Sequence, residues 1–417
     1  MVKYELKKIF GPLGGKIALI IYAAFLILSC WMAATGATGM GVKFYDEQGN
    51  EITGPAAVRM IRDARNEWEG VLDEEKIAAV IRELRRIAAS PEYNSDIISE
   101  LNAAYSWQEG VRPIRYMMID AYNDSLDEYE YNDFYIPESL SPEAAKDFYA
   151  NRMRLLTKYL ETGNGKDKFT DNEKQWLVQH YADWETPVYY DYTLGWQEML
   201  QNYGMLSGYG AIVICILLIG IFTKEFRWKA APVFYTTVYG RNKAVAAKVK
   251  AGFLAVTLLY WGGMLIYTLF NLCYFGAEGA GCAVQLLDNL WECPYNWSCG
   301  GAYLIAMLCG YVGNLFVAFL TMYVSAKTKS ATFSVVVAFL SVLASWLLEM
   351  TGIEALANFA IMPDRLLIVS TFLHRFEVYD LGFVTMGAIP LCLVLYGAAT
   401  VLLAPAMYQT YRRKRLS

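Results

Sequence analysis

Two Gly-Lys sequences are the places where this chain comes closest to a phosphate-binding loop. Such a loop follows the pattern GxxxxGK[ST], in which backbone N–H groups hold phosphates and a hydroxyl group holds Mg²⁺. The stretch Gly11–Ile17 is one residue short of this pattern and has Ile17 where the hydroxyl residue belongs. Gly163–Asp167 lacks the spacing altogether. We therefore expect no ATP hydrolysis by this chain alone and no cofactor of its own.

The histidines and acidic pairs do not form a pattern typical of metal binding or catalysis. His180 and His374 are the two histidines, and neither has a Cys or Ser motif beside it. A solvated or hydrogen-bonded histidine is the simpler interpretation of each. Asp120 with Asp124, and the stretch Asp127–Asp133, lack the ligand spacing and the glycine of a calcium loop. We predict neither a metal site nor an enzymatic centre.

The eight cysteines show no CxxC pair of the kind found in zinc or redox motifs. One group of four surrounds the loop between the predicted third and fourth spans: Cys273, Cys282, Cys293 and Cys299. A disulfide is chemically possible there, and three pairings of four cysteines are open. The other four read as small apolar residues of membrane helices.

The overall composition indicates a membrane protein. Of 417 residues, 56% are hydrophobic and 18% are charged, whereas about 25% are charged in a typical soluble domain. The net charge of −5 provides no basic surface for a phosphate backbone. Nucleic acid is therefore excluded as a partner.

Six uncharged stretches are long enough to cross about 30 Å of hydrocarbon, which needs about 20 residues. They are Ile17–Thr35, Leu206–Thr223, Ala251–Gly276, Ser298–Ala326, Ser330–Leu348 and Leu381–Tyr411. The first exceeds the 7–15 residues of a normal signal-peptide core, which favours an uncleaved anchor. We predict an all-α polytopic membrane protein with six transmembrane helices.

The distribution of charge sets the orientation of these spans. With both termini in the cytoplasm, the inner segments carry 17 basic residues and two acidic ones, Glu5 and Glu225. The outer segments then carry 19 basic and 39 acidic residues. Because basic residues favour the cytoplasmic side, we predict three parts: an N-terminal cytoplasmic segment with the first span (1–36), an extracellular domain (37–205), and the remaining membrane domain (206–417).

The extracellular segment 37–205 has helix start signals and a net charge of −14. Asp73 begins an amphipathic stretch with acidic residues in its first turn, Ser141-Pro142 reads as an N-cap followed by proline, and Thr170–Glu173 matches a capping box. We expect a mostly helical domain that folds on its own and concentrates cationic ligands.

Aromatic residues are frequent in the same segment, and two interpretations of them stay open. They could anchor a cationic amphipathic peptide that the carboxylates attract. The commoner use of such side chains is to fill the core of the domain. The residues are Tyr129, Tyr131, Tyr135, Trp176, Trp184, Tyr189, Tyr190, Tyr192 and Trp196.

The segment 224–250 between the second and third spans mixes large apolar side chains with cations. A positive-inside anchor is one interpretation of this content. The order of its polar residues is more specific, because Glu225 is followed by Thr236-Thr237, Arg241 and Lys248. This order resembles the corresponding loop of ABC-2-type transporter permeases, in which Glu, a Thr-Thr or Thr-Ser pair, Arg and Lys recur.

The resemblance implies that this loop is a coupling helix that docks into a separate ATP-binding subunit. On this resemblance, the residues that couple the chain to the ATPase are Glu225, Arg227, Trp228, Thr236, Thr237, Arg241 and Lys248. ATP and Mg²⁺ then belong to the partner. The chain itself would form a homodimer or heterodimer of permeases in the lipid bilayer of a bacterial cell membrane.

Other parts of the chain extend the likeness. Tyr274–Gly276 with Gln285 looks like the outer loop of bacterial members of the family, and the large insertion 37–205 is similar to a Gram-positive subset. The segment 361–380 contains an apolar run, Leu366–Leu373, that is too short to span. It is similar to the re-entrant outer helices that precede the last span in this family.

Two functions from different classes follow from these observations. The first is the permease subunit of an ATP-driven exporter for a hydrophobic or amphipathic cargo, such as an antimicrobial peptide or a lipid-linked molecule. The almost uncharged spans favour such a cargo over an ion, whose relay needs charged residues inside the membrane. The alternative is a membrane-anchored sensor or sequestering receptor that binds peptide without transport.

Overall fold

The computed structural model describes residues 1–35, 42–126, 130–237, 239–352, 361–373 and 375–413. Several residues singled out in the sequence lie outside this described part. They are His374, Tyr129, positions 127 and 128 of the acidic stretch, the boundary at 36/37, and the C-terminal pair Lys414-Arg415.

The described chain is 71% helical with almost no sheet, which confirms the all-α class. In chain order the helices are α1 Val2–Phe10, α2 Leu13–Thr35, α3 Gly54–Asn66, α4 Glu74–Ala88, α5 Ile98–Trp107, α6 Arg112–Tyr122, α7 Ile136–Ser139, α8 Phe148–Glu161, α9 Asp171–Ala182, α10 Leu194–Gly204, α11 Gly210–Arg227, α12 Ala231–Thr236, α13 Lys243–Phe275, α14 Cys299–Thr328, α15 Ala331–Val342, α16 Ala344–Glu349, α17 Ser370–Leu373 and α18 Ala388–Arg412. The strands form three short antiparallel pairs: β1 Lys43–Tyr45 with β2 Glu51–Thr53, β3 Gly70–Val71 with β4 Tyr189–Tyr190, and β5 Val378–Asp380 with β6 Thr385–Gly387.

Five helices of the described chain are long and apolar enough to cross a membrane. They are α2, the continuous helix Leu194–Arg227 that contains α10 and α11, α13, α14 and α18. All five coincide with predicted spans. The second begins about three turns before its predicted start, because the polar residues of α10 continue the same helix above the apolar run.

The predicted fifth span, Ser330–Leu348, is not one helix. It is divided at Leu343 into α15 and α16, and α15 alone, at about 18 Å, is too short to cross 30 Å of hydrocarbon. The Asp364 carboxylate accepts hydrogen bonds from the Ser345 backbone N–H at 2.9 Å and from its hydroxyl at 3.0 Å. This carboxylate therefore satisfies polar groups that the break exposes.

The predicted sixth span is shorter than expected at its start. Residues 381–387 belong to the β5–β6 hairpin, and the helix runs from Ala388 to Arg412. The segment before it contains a 3₁₀ turn, Pro363–Leu366, and the four-residue helix α17. Leu366, Leu367 and Phe372 are buried in the main core. A short apolar segment that packs into the bundle without crossing it agrees with the sequence, while its re-entrant orientation stays a prediction.

Four parts of the chain meet at one end of the helix bundle, which we call the basic end. They are α1, the segment 224–250, the turn at Lys329 and the last turns of α18. The Lys329 ammonium lies 5.0 Å from the Phe226 ring centre, and the Tyr411 ring lies 4.8 Å from that of Phe222. The two ends of the described chain are therefore on the same side of the bundle.

The other end, which we call the domain end, carries the helices of the segment 37–205. Asp73 accepts a hydrogen bond from the Lys76 N–H and begins α4, and the Thr170 capping box begins α9, so both predicted starts are confirmed. The predicted helix from Ser141 differs in its first turns. Residues 142–147 form a 3₁₀ helix without a side-chain cap, and α8 begins at Phe148.

The domain end also recruits residues from outside 37–205. The buried Arg152 guanidinium donates to the carbonyl oxygens of Trp291 and Cys293 at 3.0 and 2.8 Å and stacks 3.7 Å from the Tyr181 ring centre. Carbonyl oxygens and aromatic faces thus compensate a cation that has no carboxylate partner in these contacts. The 276–298 loop is consequently part of the core of this end.

Candidate coupling site at the basic end

A cluster of buried charges lies where α1, α11 and α13 meet at the basic end. Lys248 of α13 is only 1% exposed, and Glu5 of α1 and Glu225 of α11 are each 7% exposed. Two of these residues, Glu225 and Lys248, belong to the set that the family resemblance singles out. Burying such charges is costly unless they are paired and hydrogen-bonded.

The Lys248 ammonium has three acceptors, which matches its three N–H bonds. Its Nζ donates to Glu225 Oε1 at 2.6 Å, to the Ile221 carbonyl at 2.6 Å and to Glu5 Oε2 at 3.3 Å. Glu5 Oε1 accepts from Lys8 at 2.8 Å. The cluster of Glu5, Lys8, Glu225 and Lys248 therefore has no net charge and joins three helices.

Glu5 and Tyr411 are members of this site that the sequence analysis missed. The Tyr411 hydroxyl lies 3.4 Å from Glu225 Oε2 and brings α18 to the cluster. Glu5 is one of only two acidic residues on the predicted inner side. An isolated acid among basic residues, beside an apolar helix, was the signal that could have identified it.

The short helix α12 lies between Glu225 and Lys248 in the sequence. The hydroxyl groups of Thr236 and Thr237 donate to the Val233 and Phe234 carbonyls at 2.9 and 2.8 Å, so this pair closes the end of α12. At Gly240 a Cβ atom would lie 1.8 Å from the Phe234 oxygen. Only glycine allows the chain to pass this close to the helix.

The remaining predicted coupling residues face outward. Trp228 is 64% exposed, and the side chains of Arg227 and Arg241 are also exposed. The seven predicted residues thus fall into three groups. Glu225 and Lys248 form an internal joint, Thr236 and Thr237 form the end of α12, and Arg227, Trp228 and Arg241 lie on the surface.

The helix that carries Glu225 also reaches the domain end. It is continuous over Leu194–Arg227, about 50 Å, and contains a π-helical stretch, Met205–Tyr209. The Asn314 amide on α14 donates to the Ser207 carbonyl in this stretch at 3.1 Å. π-Helical turns inside α-helices are rare and occur frequently at functional sites.

Groups that could do covalent or metal chemistry are poorly placed for it in the described residues. No cluster of three or more His, Cys, Asp or Glu side chains could hold a metal there. His180 stacks on Trp176 at 3.6 Å, with its Nδ1 2.9 Å from the Trp176 carbonyl. None of the eight cysteines, all of them in described positions, forms a disulfide. Burial raises the pKa of the Cys293 thiol to about 12, which disfavours a nucleophilic thiolate.

Comparisons of this chain with models of known families, with curated proteins and with solved structures found no match.

Proposed function

We propose that this chain is the membrane subunit of an ATP-driven exporter and works with a separate ATP-binding subunit. The proposal includes six spans with cytoplasmic termini, the fifth of them being the broken helix α15–α16, and an association of two such membrane subunits in a bacterial cell membrane. The order of residues in 224–250 motivates it. The observation that carries it is the construction of the basic end.

This construction suits a segment that receives force from another protein. Exposed side chains on both sides of α12 provide a surface, and the segment that bears them begins at Glu225 and ends near Lys248. Because these two residues are joined by a 2.6 Å ion pair deep in the cluster, a displacement of α12 is passed to α1, α11 and α13 together. A partner that closes on ATP would thereby move several spans.

A cavity of about 410 Å³ supports the choice of an amphipathic cargo. It lies between the π-helical stretch and the break at Leu343, and its wall combines apolar residues such as Trp346 and Ile368 with three charged residues, Glu349, Asp364 and Arg365. A break in one helix and a π-helical stretch in its neighbour are both deformable elements. We infer that this is where the cargo path opens when the ATP-binding subunits close.

The proposal is tested by purifying the full chain with an affinity tag from the membranes of its own cells. We expect an ATP-binding subunit to copurify in a defined ratio. Trp228→Ala and Arg241→Glu should each lower this copurification at least about tenfold, since interface anchors of these types often contribute 2 kcal/mol or more. Lys16→Glu is the matched control, because it reverses another exposed charge at the basic end.

Two outcomes would contradict this function. One is a chain that purifies without any ATP-binding protein from membranes in which such proteins are present. The other is unchanged copurification and unchanged substrate-stimulated ATPase activity in both variants. Glu225 is unsuitable for this test, because its reversal would disrupt the buried cluster and lower the stability of the protein itself.

The receptor without transport remains the second candidate, and a cavity at the domain end favours it. The absence of an ATP-binding partner together with ligand binding would select the receptor.

A further inference from the structure

A cavity of about 430 Å³ lies at the domain end, in the size range typical of small-molecule sites. Its wall combines α3, α5 and α6 of the segment 37–205 with α10 and with Asp288 of the loop between α13 and α14. It therefore lies at the junction between the outer domain and the second membrane helix. None of its polar residues was singled out in the sequence analysis.

Arg65 of α3 is the buried cation of this wall. It is 3% exposed, and neither its Nε nor its Nη1 atom has a hydrogen-bond partner among the described residues. Its nearest carboxylate is Glu109, 3.9 Å away. Glu109 has a stronger partner in Arg112 at 2.6 Å, and its charge raises the pKa of that guanidinium. Two donor atoms of Arg65, both buried, are thus without an acceptor in the described part of the chain.

Unpartnered acceptors lie in the same wall. Asp288 Oδ2 accepts from the Gln197 side-chain amide at 2.7 Å, whereas Asp288 Oδ1 and Gln197 Oε1 have no partner among the described residues. Both side chains are held by this mutual hydrogen bond, and Gln197 is itself buried. A cation or another donor is the complementary group.

The rest of the wall is mixed. Arg115 donates from Nε to Glu138 and from Nη2 to the Phe134 carbonyl, both at 2.7 Å, whereas Gln108 Nε2 and Glu109 Oε2 have no hydrogen-bond partner among the described residues. Tyr105, Tyr116 and Phe134 supply ring surface. The cavity wall therefore carries both signs of charge, although the segment 37–205 has a net charge of −14.

We propose that this cavity binds a small zwitterion with one carboxylate and one ammonium group and an apolar side chain, such as a dipeptide. The carboxylate pairs with Arg65, the ammonium pairs with Asp288 and Gln197, and the apolar side chain contacts the aromatic rings. The proposal is independent of the exporter function, because it concerns this chain alone.

The position of the site makes binding mechanically relevant. Gln197 lies near the outer end of the helix whose inner end carries Glu225. A ligand that bridges Arg65 of α3 and Gln197 of α10 therefore fixes the outer end of the second span relative to the domain. Ligand occupancy and the state of the basic end are coupled through this one element.

The test uses the full chain in lipid nanodiscs and three probes measured by calorimetric titration. The probes are alanyl-phenylalanine, its N-acetylated form and its C-terminal amide. We expect the zwitterion to bind at least about tenfold more tightly than either blocked form, since a site built for a charged group rejects a ligand that lacks it. No binding of the zwitterion up to about 10 mM, or equal binding of all three probes, would overturn the proposal.

Two variants assign the ends of the ligand. Arg65→Met should remove the preference for the free carboxylate and keep the preference for the free ammonium group, and Asp288→Asn should do the reverse. Arg59→Met, an exposed arginine on the same helix, and Asp167→Asn, an exposed acid of the same domain, are the controls. A variant that lowers the affinity for all three probes equally, or one that leaves both preferences unchanged, would refute the assigned contacts.

Discussion

The charge cluster at the basic end and the cavity at the domain end both bury ionisable side chains, yet they treat them in opposite ways. Around Lys248, every N–H of the ammonium has an acceptor within 3.3 Å, and two carboxylates share its charge. Around Arg65, the Nε and Nη1 atoms have no acceptor among the described residues, and the nearest carboxylate is bound to another arginine.

The difference teaches how to separate a structural joint from a binding site. Substituting one member of a paired buried cluster strongly destabilises the protein, because the remaining charges are left buried without a partner. A buried charge without a partner lowers the stability of the ligand-free protein, as residues of binding sites frequently do. The two regions should therefore respond oppositely to the same kind of substitution.

The largest effect is expected for Lys248→Met. This change leaves Glu5 and Glu225 buried without their shared cation, and breaking such a pair costs about 3–5 kcal/mol. We expect a lower midpoint of thermal unfolding in nanodiscs and partial recovery in the double variant with Glu225→Gln. Lys250→Met, two residues further on and exposed, is the control. Equal stability of the two single variants would mean that the cluster is not a joint.

Arg115→Met should give the next largest effect and sharpen the contrast within the cavity wall. Arg115 is 2% exposed and paired with Glu138, so its loss strands a buried carboxylate at a cost of about 1.5–3 kcal/mol. Unfolding by heat, followed through tryptophan fluorescence, measures the change. A shift no larger than that of the Arg59→Met control would contradict the assignment.

Arg65→Met is expected to leave the free energy of unfolding unchanged or to raise it, in either case by less than about 1 kcal/mol. Its guanidinium is buried to a similar extent as that of Arg115, but it has only a distant carboxylate. The same unfolding experiment, without ligand, applies. A loss of stability as large as that of Arg115→Met would show that Arg65 has a structural role and that the two regions do not differ.

The smallest effect concerns an exposed charge that serves as a reference for the two buried regions. Hydrogen bonds from the Asn172 side chain and the Gly382 N–H lower the pKa of Asp380. A lowered folded-state pKa gives stability that is present above the unfolded value of about 3.9 and is lost as pH falls through the folded value. Asp380→Asn should therefore flatten the acid side of the stability profile slightly. Identical profiles between about pH 5 and pH 3 would contradict this.

The sequence predicted those features that depend on local residue order. Run length identified five spans, and the capping box at Thr170 located the start of α9 because its two partners are three residues apart. The break at Leu343 could not be predicted in this way, since no Pro or Gly is present there and Asp364, which stabilises it, lies nineteen positions after its hydrogen-bond partner Ser345. A local pattern cannot register such a partner.

The site residues divide along the same line. Glu225 and Lys248 could be named from the order of residues in one loop, although their burial and mutual contact could not. Glu5, which is more than 200 positions before Glu225 in the sequence, also contacts Lys248. Arg65 and Asp288 come from segments separated by two candidate membrane helices, so only the folded chain reveals that they line one cavity.

The π-helical stretch Met205–Tyr209 affects the rotation of the second span about its own axis. Each residue of an α-helix turns the chain by about 100° about its axis, and a single-turn π bulge accommodates one additional residue. Everything above the bulge is thereby rotated by about 100° about the axis relative to a regular helix. Gln197 lines the cavity and Glu225 meets Lys248 with this added rotation between them, and a regular helix of the same length would set a different angle between the two side chains. The bulge thus changes the fixed angle between the two ends of the helix and leaves their axial connection intact.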